Sequence, residues 1–185
     1  LEGLNFDLYS LIKTHYSGGA HHLHYCRYGQ TLNFRRRKNH LMKEKEIIRS
    51  GEGKNFNYSQ DHCFVKLSSK STNGELCLVE DTLKPGFYLG RHHHKIMTEV
   101  FYVLEGEIEL IFDDTSITAK TGDTVTVPPN VWHAASCEKG GKMLTIFKNG
   151  QFDLFLEKLS GMTDSDFADK ALMKSVSEEF DIYDE

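Results

Sequence analysis

The chain has 185 residues, 39% of them hydrophobic and 26% charged, which is enough for one domain with appendages and a buried core. No run of eighteen apolar residues occurs, which argues against a membrane-spanning helix. The net charge of −5 is split, with +5 on residues 1–50 and −10 on residues 51–185. That acidic body argues against nucleic acid as a partner, because phosphate contacts need clustered cations.

Residues 1–50 read as an N-terminal extension with little pattern. They hold a short apolar run at Leu8, Leu11 and Ile12, a polar group at His21, His22, His24 and Cys26, and a basic block at residues 35–38. No ligand set at a recognised spacing completes the histidine group, so a solvated arm is the expectation. The texture changes at Met42 to an ordinary polar N-terminus, which suggests a biological start there, and no charged-then-apolar leader precedes it. Cys26, Cys63, Cys77 and Cys137 form no C-x-x-C pair, which suits a reducing cytoplasm better than a disulfide scaffold.

From His62 the pattern becomes that of short strands. Residues 62–67 and 75–83 flank Asn73-Gly74, a pair suited to a tight hairpin turn. After Gly106, Ile108, Leu110 and Phe112 alternate with Glu107 and Glu109. Asp113-Asp114 then turns the chain toward a strand at 116–119, and a last strand follows at 143–147. About nine short strands with regular turn signals predict an all-β barrel or sandwich over residues 51–150. The period then changes. Phe152, Phe155, Leu156 and Leu159 share a helical face, and Thr163 with Asp166 caps a second helical stretch in which Leu172, Val176 and Phe180 form a stripe. Residues 151–185 are therefore expected as a helical tail packed on the barrel, with contacts to its outer face favoured over a lid across its mouth.

Two stretches inside the barrel carry chemistry. In the first, Gly86, His92, His94, Glu99 and Gly106 fit G-x5-H-x-H-x4-E-x6-G. Side chains alternate along a strand, so His92 and His94 share one face and His93 takes the other. A short turn over residues 95–98 is expected to return the chain antiparallel and set Glu99 beside them, making three donors converge as a metal face. In the second stretch, Gly122, Pro128 and His133 fit G-x5-P-x4-H, and a second hairpin there would supply His133 as the fourth donor.

The two motifs, in order and separated by fifteen residues, resemble the paired motifs of the cupin superfamily. The resemblance covers roughly residues 51–160. It implies a double-stranded β-helix, a jelly-roll barrel, with His92, His94, Glu99 and His133 as metal ligands. Asn130 stands where the family usually has Gly, and Cys137 where it often has Asn. Asn is the next-best residue for a left-handed turn, so the Pro128-Pro129-Asn130 turn is expected to survive. The stretch RHHHKIMTEVFYVLEGE with the helical tail is similar to the small quercetin 2,3-dioxygenase-like cupins.

Three imidazoles and a carboxylate leave a six-coordinate ion two open positions, the mark of a catalytic site. One divalent transition metal ion is expected, with Fe, Mn, Ni, Cu, Co and Zn all compatible. Glu99 is the expected catalytic base as well as a ligand. Phe101 and Val103 on its strand face should make the pocket apolar, which favours a small hydroxylated aromatic or diketone-like substrate. Arg91 and Lys95 read as rim charges, and Trp132 fits either the pocket entrance or the outside. A metal-dependent dioxygenase leads, against a non-catalytic small-molecule-binding cupin and a metal-dependent isomerase or epimerase. The latter would place Lys or Arg inward, where the strands offer mostly Val, Phe and Ile. Open sheet edges and outward Val100, Tyr102 and Leu104 lead to the expectation of a homodimer.

Overall fold

The computed structural model describes residues 46–184; the His21, His22, His24 and Cys26 group, the basic block and Met42 lie outside the described residues. Ten strands follow one another: β1 (Lys54–Asn57), β2 (Asp61–Leu67), β3 (Leu76–Leu83), β4 (Phe87–His93), β5 (Thr98–Glu105), β6 (Glu107–Phe112), β7 (Ser116–Lys120), β8 (Thr124–Val127), β9 (His133–Cys137) and β10 (Gly141–Lys148). Helices α1 (Phe152–Ser160), α2 (Asp164–Ala168) and α3 (Lys170–Glu179) and a short strand β11 (Tyr183–Asp184) complete the chain. The strands form two antiparallel sheets, one ordered β1-β2-β3-β10-β5-β8 and the other β11-β4-β9-β6-β7. This is the all-β jelly roll with C-terminal helices that the strand pattern and motifs predict.

Alternation along each strand decides which side chains meet between the sheets. On β5, Phe101 and Val103 are fully buried while Tyr102 and Leu104 are exposed, and on β6, Ile108 and Leu110 are fully buried. These residues pack with Leu83, Phe87, Val127, Ala135 and Met143 into one core at one end of the barrel. Each such large apolar side chain contributes roughly 1.5–3 kcal/mol when taken out of water. At the other end Phe56, Val65, Val79, Met97, Phe147 and Leu156 form a second core that already includes α1.

Several local expectations are corrected. The Asn73-Gly74 pair does not close a two-residue hairpin, because a 3-10 turn over Ser69–Thr72 precedes it and Asn73 at φ 57 caps that turn. The 62–67 and 75–83 strands do pair. β1 goes unseen in the sequence because only Phe56 of its four residues is buried. The expected second helix is two helices. Thr163 and Asp166 form the capping box at α2, and Asp169 breaks the stretch and caps α3 through Ala171 and Leu172 N–H. The buried stripe of α3 is Met173, Val176 and Ser177, so Leu172 faces solvent instead.

The tail packs on the barrel and also reaches the cavity. Phe152, Phe155, Leu156 and Leu159 of α1, Met173 of α3 and Ile182 line the same cavity as His92, His94 and Glu99. The helices thus form part of the wall of this cavity, their amphipathic stripes meeting apolar inward faces of the strands. No helix among the described residues is long and apolar enough to cross a membrane. Cys63, Cys77 and Cys137 are free and buried.

Candidate metal centre

The donors are gathered differently from the two hairpins the motifs suggest. β4 pairs with β9 and β11, whereas β5 pairs with β10 and β8, so the turn at residues 95–98 carries the chain from one sheet to the other. Glu99 therefore faces the histidines across the barrel interior. The second motif crosses in the same way, from β8 to β9, and sets His133 directly opposite His92 in the β4–β9 pair. His94 lies one residue past β4, where Asn130 N–H donates to its carbonyl at 2.6 Å. Asn130 has φ 65, so the left-handed turn expected of it is present and braces the His94 backbone.

The ligand atoms of His92, His94, Glu99 and His133 all lie within 4.8 Å of one another, and all four residues are buried. Glu99 Oε2 is 2.9 Å from His133 Nε2, 3.2 Å from His94 Nε2 and 4.0 Å from His92 Nε2. The opposite ring nitrogens are all engaged by main-chain carbonyls. His92 Nδ1 donates to Gly90 O at 2.8 Å, His94 Nδ1 to Asp181 O at 2.7 Å and His133 Nδ1 to Val131 O at 3.0 Å. A carbonyl oxygen only accepts, so each Nδ1 carries the proton and each neutral ring aims a lone pair from Nε2 into the site.

Three imidazole lone pairs and a carboxylate then face one another inside the barrel, acceptor against acceptor. Such a set fits a cation, and a divalent ion held by nitrogen and oxygen donors matches its chemistry. The protonation preference of His92 agrees, whereas His94 and Glu99, with no ion between them, favour a charged hydrogen-bonded pair. Burial, then the neighbouring His133 and His94, push the His92 imidazole down to about 3, so it stays neutral. Burial alone would raise Glu99, but its contacts with His133 and His94 outweigh that and hold the carboxyl well below its ordinary range. Burial also opposes charge on His94, yet the Glu99 contact prevails and raises it.

The remaining residues singled out from the sequence fall into place around this core. Phe101 lines the cavity, and Val103 belongs to the packed core beside it. His93 points away from the donors, with its ring 4.3 Å from Trp132 and 5.3 Å from Tyr183. Trp132 is thereby placed on the outer side, under the Arg91 guanidinium at 4.3 Å. Arg91 pairs with Asp113, and Lys95 lies over Tyr183. Sequence reasoning misses Asp181, whose carbonyl orients His94; it lies 87 residues from His94 and no motif spacing points to it.

Residues 79–147 match the family model of the cupin domain, and the two sheets with their inward donors are the fold that goes with it. The chain therefore carries a cupin domain over these residues. Over 114 residues it is 28% identical to quercetin 2,3-dioxygenase of Bacillus subtilis (strain 168), a match covering 61% of this chain and 34% of that protein. The chain thus matches about a third of the length of this curated relative. Among solved structures it is similar to KdgF from Halomonas sp., with a TM-score of 0.52 and 15% identity over 59% of this chain and 99% of that one. A predicted oxalate decarboxylase from Thermotoga maritima gives a TM-score of 0.50 and 18% identity over 56% of this chain and 98% of that one. These two likenesses concern the fold.

Proposed function

We propose that this cupin holds one divalent transition metal ion on His92, His94, Glu99 and His133 and acts as a mononuclear metal-dependent dioxygenase on a small hydroxylated aromatic or diketone-like substrate. The observation that carries the metal is the convergence of three carbonyl-anchored imidazoles on Glu99 Oε2. The similarity to a quercetin 2,3-dioxygenase and the apolar lining of Phe87, Leu89, Phe101 and Phe147 support the substrate class. When bound, the ion supplies Lewis acidity to a coordinated oxygen of the substrate.

The chain's own residues do the rest. The backbone carbonyls of Gly90, Val131 and Asp181 fix tautomer and ring orientation, so the three Nε2 atoms are set before any ion or ligand arrives. Glu99, with one oxygen shared among the histidines, is placed to take the proton of an incoming hydroxyl. The side chains of α1 and α3 add an apolar wall to the cavity. Metal content of protein prepared without added metal, together with oxygen uptake across flavonols, catechols and diketones, tests the reading. Uptake that requires both metal and substrate is the expected result. Stoichiometric metal with ligand binding but no uptake would replace the enzyme by a binding cupin, and absence of metal affinity would overturn both.

A further inference from the structure

The cavity that contains His92, His94 and Glu99 extends along the inner faces of β2, β3 and β10, where the lining changes character. Most of its wall is apolar. Within that wall Asp61, Cys63 and Asp81 stand together, with their polar atoms within 4.8 Å of one another, and Thr145 adjoins them. All four are buried, and neither metal motif includes any of them.

Buried carboxyl groups in an apolar wall cost free energy unless their oxygens find donors. The fold supplies few. Thr145 Oγ1 donates to Asp81 Oδ2 at 2.6 Å, and Cys63 Sγ donates to Asp61 Oδ2 at 3.0 Å. Asp61 Oδ1 is buried with no hydrogen-bond partner, in a residue only 9% exposed. The Lys84 ammonium, which acts on Asp61 through space, donates instead to Asn57 Oδ1 and to the Tyr58 carbonyl. Burial, opposed by Cys63, the His62 backbone and Lys84, lifts Asp61 to about 6, and burial together with Asp61 lifts Asp81 well above the carboxylate range. Asp61 Oδ1 therefore has acceptor capacity that the described residues leave unused, and Asp61 and Asp81 both line the cavity.

We propose that Asp61 and Asp81 form a second binding site in this cavity, one that accepts hydrogen bonds from hydroxyl groups on the far end of an aromatic ligand whose near end lies at the histidine cluster. The inference rests on the function proposed above, because it takes the near end of the ligand to be held there. Phe87, Phe101 and Met143 line the same cavity and suit the faces of an aromatic body. The ligand class that follows is a polyhydroxylated aromatic, hydroxylated at both ends. A site that hydrogen-bonds a hydroxyl discriminates strongly against an analogue lacking it, since its buried acceptors are then left unpaired.

The test uses the full chain reconstituted with Zn2+, which has no redox chemistry, so that binding is read without turnover. Two probes are titrated: quercetin, with hydroxyls at both ends, and 3-hydroxyflavone, which keeps the chelating end alone. The expected result is quercetin bound about tenfold or more tightly than 3-hydroxyflavone. Asp81→Leu should abolish that preference, and Asp81→Asn, which keeps one acceptor, should retain part of it, with 3-hydroxyflavone affinity unchanged in both. If the Leu variant does not fold, the Asp61→Asn/Asp81→Asn double variant carries the test. Equal affinity of the two probes for the wild type, or a preference that survives in the variants, overturns this site and leaves the metal centre standing. Failure of both probes to bind the zinc-loaded wild type overturns the proposed substrate class and this site with it.

Discussion

His94 Nδ1 donates to the main-chain carbonyl of Asp181 at 2.7 Å, and the carboxylate of the same Asp181 accepts the N–H groups of Lys95, Ile96 and Met97 at 2.9, 2.9 and 2.7 Å. One residue from the C-terminal segment thus orients a candidate ligand and also fixes the turn that leads from that ligand to Glu99. Asp181 takes φ 64, a left-handed conformation that Asp tolerates better than most residues. Pairing of Tyr183 and Asp184 with His93 and His92 keeps it there.

Asp181→Ala removes three charge-assisted hydrogen bonds from the turn while leaving the carbonyl in the chain. Zinc affinity, read by competition with a chromophoric chelator, should fall by about 10- to 100-fold, the usual cost of losing a group that orients a ligand. Asp181→Asn keeps one side-chain oxygen and should fall less. Unchanged affinity in the Ala variant would show that the ring is oriented without the turn.

His94→Ala and His93→Ala form a contrasting pair. The first removes a donor whose Nε2 lies 3.2 Å from Glu99 and should lower metal affinity by orders of magnitude. The second should keep the metal but cost about 1 kcal/mol of stability, since His93 packs between Trp132 and Tyr183. Metal titration and thermal unfolding of both variants give the comparison. Loss of metal in His93→Ala would contradict the strand register.

How much of this was legible beforehand follows from the range of each signal. The period of two on β5 and the spacing of His92, His94, Glu99 and His133 are local patterns, and local patterns survive in a sequence. The route that joins them is not local. Antiparallel return after His94 and passage to the opposite sheet need the same short turn, so the text at residues 95–98 does not distinguish a hairpin from a crossing. Helix α1 was legible through its apolar stripe. What that stripe covers depends on the room left beside Phe147 and Met97, which only tertiary packing decides. Asp61 and Asp81 read as ordinary acidic residues in strands because nothing in their neighbours' identity announces burial.

Asp61 gives a pH prediction whose sign differs from that of an ion-paired carboxylate. Burial raises its folded pKa to about 6 from an ordinary value of 3.8, so between these pH values the folded chain holds a proton that the unfolded chain releases. Stability at this residue is unpenalised below the ordinary value, falls as pH rises through the interval and stays level above about 6. The full penalty is on the order of 3 kcal/mol. Asp61→Asn should therefore gain in denaturant midpoint relative to wild type at pH 7 and gain little at pH 4. An equal gain at both values would mean that the carboxyl is not held protonated by the fold.

Tyr102 and Leu104 remain 38% exposed on β5, and β8 beside them is the edge of its sheet. An edge strand with exposed apolar side chains beside it favours association through that face. Light scattering at micromolar concentration should give the mass of a dimer, and Tyr102→Lys with Leu104→Lys should return it to a monomer with the metal site intact. A monomeric wild type would remove the proposal.

Glu99→Gln separates ligand from base. The substitution keeps the shape of the side chain and one oxygen toward His133 and His94, but it removes the charge that draws both histidines and any cation to Oε2. With three imidazoles still anchored through Gly90, Asp181 and Val131, metal should remain bound at lower affinity. The amide cannot take a proton from a substrate hydroxyl, so turnover measured with metal at saturation should fall by roughly 10²–10⁴-fold. Saturating metal matters, because it removes the affinity loss from the comparison and leaves only the loss of basicity. Wild-type turnover by the metal-loaded Gln variant would make Glu99 a ligand only, and the proton would have to leave through another group in the cavity.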